Sequence, residues 1–165
     1  MMADPIRERI IQEVEAGLSI LTTANGFNTD CGRLIERGKK EWDDTDTPCM
    51  SIFPGIETAE NTEYRTDKHV MSMTLNLFDT YTNTASPVTG KPVSGASVKG
   101  EKMFADAKEA MKRVFTVLTA GLVQNIQYKG GGIQDYPGLE TKIIGVIATF
   151  DITYETKRND PYNQL

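Results

Sequence analysis

The stretch Ala85-Ser86-Pro87-Val88-Thr89-Gly90-Lys91-Pro92 comes nearest, in residue types and spacing, to a known chemistry: the cradling of a nucleotide phosphate. Such a loop needs a Ser or Thr after the Lys to hold magnesium, and an N–H there to face the phosphate. Pro92 supplies neither, so the pattern reads as a chance match. Cys31, Cys49 and His69 are types that ligate metals or pair a nucleophile with a base. Their spacing follows no zinc pattern, and a lone His at a strand entrance is expected to be structural. Asp43, Asp44 and Asp46 beside Trp42 lack the Gly and the closing Glu of a calcium loop and read as solvated turn charges. Gly130-Gly131-Gly132 could let a backbone approach an anion, but no Lys, Ser or Thr follows to complete a site. It reads as a flexible bend between strands. No catalytic residue, metal or cofactor is expected, and the chain reads as a non-enzyme.

The elements that position these residues follow from periodicity. Asp4-Pro5 predicts a helix start, with the carboxylate capping free N–H groups and Pro at the first helical position. Ile6, Ile10, Val14, Leu18 and Leu21 recur at helical spacing, and the helix is expected to end near Asn25-Gly26. Two strands are expected from Cys31 to about Arg37 and from Pro48 to Phe53, joined by the polar turn Lys39 to Thr47. A third alternates Met71, Met73, Leu75 and Leu77 with Ser72, Thr74 and Asn76 and runs on to Tyr81. A second helix is expected after Gly100, to about Ala120, with Gly121 as its C-cap. Strands Val123 to Tyr128 and Lys142 to Tyr154 close the chain. The last is the clearest: Ile144, Val146, Ala148, Phe150, Ile152 and Tyr154 share one face.

Short polar turns favour antiparallel pairing, and two one-sided helices need one apolar sheet face. The expectation is a single two-layer α+β domain over residues 1–165, a mainly antiparallel sheet with both helices packed on one face. The other face, with Thr74, Asn76, Thr149, Asp151 and Thr153, must meet water or another subunit.

Two segments have no evident place in such a core. Thr82 to Gly100, with Pro87, Pro92, Gly90 and Gly95 and few bulky apolar side chains, reads as a long loop or projecting hairpin. Its Thr89, Lys91 and Val93 are candidate partner contacts. The polar tail 157–165 carries Lys157, Arg158, Asp160 and Tyr162, which can dock on a partner or fray.

Composition narrows the function classes. At 165 residues, 39% hydrophobic and 25% charged, the chain is of one-domain length and globular. A net charge of −5 argues against a protein built to grip nucleic acid. No apolar run is long enough to span a bilayer, and charges at Arg7, Glu8, Arg9 and Glu13 interrupt any signal-peptide core, so a cytoplasmic site of synthesis and no membrane association are expected. Two cysteines are too few for a disulfide framework and are expected to stay reduced.

Three segments carry a resemblance. They are the first helix with its exit Thr22-Thr23-Ala24-Asn25-Gly26-Phe27-Asn28-Thr29-Asp30-Cys31-Gly32; the strand around Pro48, Ser51, Ile52 and Phe53; and Thr153-Tyr154-Glu155-Thr156-Lys157 with Asp160-Pro161-Tyr162. Together they resemble the tail terminator (tail completion, lambda-type minor tail protein U-like) proteins of long-tailed bacteriophages. The resemblance implies a hexameric ring in the virion, at the head-proximal end of the tail. Such a ring caps the tail tube, stops its polymerisation and offers a surface to the neck or head-completion proteins. Its partners would be itself, the tube protein and the neck protein, with DNA passing through the lumen unbound. The alternatives are a neck or head-completion connector, a tube subunit, or a small hydrolase.

Overall fold

The computed structural model describes residues 4–81, 88, 95–118, 121–137 and 142–164. In chain order the elements are α1 (Ile6–Leu18), β1 (Ile35–Arg37), β2 (Cys49–Asn61), β3 (Thr66–Thr80), α2 (Gly95–Leu118), β4 (Asn125–Asp135) and β5 (Ile143–Lys157). One five-stranded sheet has the order β1-β2-β3-β5-β4. All its pairings are antiparallel except β1 with β2, which is parallel and short. The fold is α+β, as the alternation of strand and helix patterns implies.

The core lies between the sheet and the two helices. Met71, Met73, Leu75 and Leu77 of β3 and the even-numbered apolar residues of β5 are buried, together with Ile10, Val14 and Leu18 of α1 and Met103, Ala107, Met111 and Val114 of α2. Both helices thus cover the same sheet face. The alternating polar residues Ser72, Thr74, Asn76, Thr149, Asp151 and Thr153 turn to the other face and are half-buried.

Several elements differ from their sequence-based expectation, each for a local reason. Helix α1 stops at Leu18, where Ser19 Oγ donates back to Ala16 O at 2.6 Å. Gly26 (φ +85) then closes a separate 3-10 turn, Thr23–Asn25. Asp4 does not cap α1. Pro5 holds the cap position, and the Asp4 carboxylate accepts from Gln12 Nε2. Cys31–Arg33 is a 3-10 turn, so only Ile35–Arg37 is strand. It pairs parallel to Met50–Ile52 because the intervening chain crosses over instead of turning back.

The hairpin of β2 and β3 runs far beyond Phe53. A bulge between Pro54 and Glu57 is followed by an arm of polar residues whose period-two signal is masked by missing apolar partners. Helix α2 begins at Gly95, earlier than Gly100. Its first turn is tied down by Lys99 Nζ, 2.7 Å from Asp79 Oδ2 and 2.6 Å from Thr80 O. Gly100 permits close packing, since a Cβ there would come within 2.6 Å of Ile133 Cδ1. The glycine triplet is not a bend but the middle of β4. At Gly131 (φ +156) a Cβ would overlap the Ile147 carbonyl of the neighbouring strand. Residues 82–87 and 89–94, with Thr89, Lys91 and Val93, lie outside the described residues, as does 165.

Candidate interaction surface

The expected tail residues are brought together with the start of α1 and the arm. After β5, Arg158 N donates to Arg65 O at 2.9 Å and Arg158 Nη2 to Thr62 O at 2.6 Å, binding the tail to the hairpin tip. Asn159 N donates to Asp67 Oδ2 at 2.9 Å. Lys157 N donates to Asn163 O, and the Asp160 carboxylate accepts from Tyr162 N and Asn163 Nδ2, folding the tail into a tight turn. Those two bonds, that from Asn163 first, hold the Asp160 carboxyl below the usual carboxylate range. Pro161 O accepts the N–H of Ile6. Lys157 and Tyr162 remain exposed at the rim.

Beneath this strap lies a polar cluster that the sequence did not reveal. Glu57 accepts from the hydroxyl of Tyr154, and its other oxygen stands 3.1 Å from His69 Nδ1. Since a carboxylate only accepts, Nδ1 is the donor to Glu57, and Nε2 stands 3.0 Å from Thr156 Oγ1. His69 stacks on Tyr154 at 4.9 Å between centroids. Arg7 reaches over from α1, with Nε 3.4 Å from Glu57 Oε2 and Nη2 donating to Gly55 O at 2.8 Å. Burial, reinforced by the Glu57 carboxylate, pushes the Tyr154 phenol pKa up, so it stays a donor. The group lines a cleft of about 420 Å³ that Asp67 and Asp160 help to close. One signal was available: His69, Tyr154 and Thr156 occupy core-side positions in the alternation of β3 and β5, and polar side chains there must find one another.

The cysteines and His69 do not form a site. Cys31 Sγ lies 3.8 Å from Phe78 O, and Phe78 pairs with Cys49. His69 is at the far end of the same strand, about 30 Å from Phe78 at the usual strand rise. Both cysteines are free and buried, and burial pushes each thiol up to about 12. Lys39 stands over the Trp42 ring at 3.8 Å and reaches Asp46 at 3.8 Å, so that member of the acidic turn is paired within the chain. Among the described residues no group of His, Cys, Asp and Glu is arranged to hold a metal ion. Among them, too, no helix is long and apolar enough to cross a membrane.

On the sheet face away from the helices, Thr149 Oγ1 and Thr74 Oγ1 share a hydrogen bond at 3.2 Å. Asp151 meets Lys129 Nζ at 3.5 Å, and Thr153 O accepts from Gln124 N. Trp42 Nε1 donates to Ser51 Oγ at 2.7 Å, laying the indole against this face beside Asn76, the partner of Ser51 in β3. Beyond it the arm projects with Ile56 85% and Tyr64 81% exposed. The arrangement offers one exposed apolar side chain at the bulge, one at the hairpin tip, and a hydrogen-bonding face.

No protein-family model and no curated protein matches this chain. Among solved structures, a chain of the virion of a native gene transfer agent (GTA) particle is similar to it, with a TM-score of 0.40 and 12% identity. The match covers 88% of this chain and 91% of that one.

Proposed function

We propose that this chain is a structural virion protein of the tail terminator kind: a ring of copies, six by the resemblance, that caps a tail tube, ends its polymerisation and presents a joining surface to the head. The observation that carries the reading is the β2–β3 arm, with Ile56 and Tyr64 at 85% and 81% exposure, beside a polar sheet face that neither helix covers. Ile56 at the bulge and Tyr64 at the hairpin tip are the apolar side chains this arm offers to another chain. Of the three segments that resemble tail terminators, the last is bonded to this arm. In particular, the tail with Asp160-Pro161-Tyr162 straps the arm to α1.

A ring of this kind needs a head-to-tail contact that closes, so that association limits itself. Termination then follows if one ring face matches the last tube ring and the other does not. Each chain contributes a charge of −5, which disfavours adhesion to DNA moving through the lumen. Thr149, Asp151 and Thr153 on the open face, with Lys157, Arg158, Asp160 and Tyr162 around the strap, are the proposed contacts, together with Thr89, Lys91 and Val93. No part of this role is enzymatic.

The test is electron microscopy of tail tubes assembled with and without the protein. Uniform tubes with one extra terminal ring, and overlong tubes without it, are the expected result. Unchanged tube lengths, with the protein on filled heads, would make it a neck component instead.

A further inference from the structure

The sheet ends in two edges of different character. On the arm, Thr62 N donates to Thr66 O at 2.9 Å, which sets Thr58, Glu60 and Thr62 toward β3 and turns the backbone groups of Glu57, Ala59 and Asn61 outward. Strand β1 covers β2 only at Met50–Ile52, so it leaves the arm edge open. On the opposite edge the phase follows from Tyr81 N, which donates to Lys142 O at 2.6 Å. Even-numbered residues of β5 therefore bond β3, and odd-numbered ones bond β4. Their partners Asn125, Gln127, Gly130 and Gly132 face β5, while Ile126, Tyr128, Gly131 and Ile133 turn their backbone groups outward. Among the described residues no backbone partner meets either outward set.

We propose that the β4 edge of one copy adds to the β2 arm edge of the next, making one sheet run through successive subunits. The choice of a second copy as occupant rests on the ring reading above. Direction agrees: three antiparallel pairings separate β2 from β4, so the two strands run oppositely. A copy that continues the sheet then presents its arm antiparallel to β4, and the two edges differ, as a head-to-tail ring requires. Bulges at Tyr128/Gly130 and Ile133/Asp135 confine the pairing to a short, strongly twisted stretch, which favours closure over a flat unlimited sheet. Ile56 and Tyr128, 85% and 37% exposed, give the two edges apolar side chains to bury.

The experiment combines sedimentation with amide hydrogen exchange on the full chain. In the associated wild-type protein the amides of Glu57, Ala59, Asn61, Ile126, Tyr128 and Ile133 are expected to exchange at least about tenfold more slowly than in the dilute monomer. Ala59→Pro removes an outward N–H without breaking a bond to β3, and is expected to weaken association about tenfold or more. Rings whose edge amides exchange at the monomer rate would overturn the edge pairing and leave the ring reading standing. A protein that caps tubes as a monomer would overturn both. If Ala59→Pro fails to fold, the wild-type exchange pattern decides alone.

Discussion

The N–H of Ile6 donates to the carbonyl oxygen of Pro161 at 2.8 Å, so the C-terminal tail closes the start of the first helix. That bond does the work that Asp4 would have done as a side-chain cap, and it joins the two ends of the described chain. Deleting residues 159–165 frees this N–H and also removes the Asn159 bond to Asp67. A loss of about 1–3 kcal/mol is expected, measured by urea unfolding, with secondary structure retained.

Tyr154 and Glu57 meet beneath the strap. Tyr154 is 2% exposed, and its hydroxyl has the Glu57 carboxylate as acceptor. Tyr154→Phe should cost about 1–2 kcal/mol, because a charged acceptor loses its donor. In a double-mutant cycle with Glu57→Gln the double mutant should lose less than the sum of the two single losses. Full additivity in chemical denaturation would show that the contact contributes nothing.

Asp106 of α2 is 3% exposed and holds the chain after α1 in place. It accepts from Asn28 N and Nδ2 and from Thr29 Oγ1, at distances between 2.8 and 3.1 Å. Asp106→Ala strands these donors and should cost roughly 3 kcal/mol, read from the denaturant midpoint. Asp106→Asn keeps an acceptor and should cost less.

Two half-buried carboxylates give the turns a pH dependence. Asp30 is held below its ordinary value chiefly by the N–H of Thr23, and Asp160 chiefly by Asn163. A carboxyl with a lowered folded pKa adds stability above its unfolded value of about 3.9 and loses it as pH falls through the folded value. Amide exchange at Thr23 and Tyr162, corrected for intrinsic rates, should therefore quicken only below about pH 4. Quickening near neutrality would contradict the assignment.

The alternation in Ile144–Tyr154 and Met71–Leu77 and the helical spacing of Ile6, Ile10, Val14 and Leu18 were enough to determine which faces are buried, and hence the two-layer α+β class. Burial of apolar side chains is a local, periodic property, so it is written along the chain. The sequence alone also determined that Pro92 spoils the phosphate loop, because proline lacks the N–H wherever it sits. What only the tertiary structure decided depends on partners distant in sequence. Gly130–Gly132 reads as a bend until β5 is seen pressing on Gly131, and Ile35–Arg37 pairs parallel through a crossover that no local pattern announces. The cluster of Arg7, Glu57, His69, Tyr154 and Thr156 draws on α1, β2, β3 and β5 at once. Its members are ordinary polar residues one by one, and hydrogen bonding across strands, which has no period along the chain, is what makes them a site.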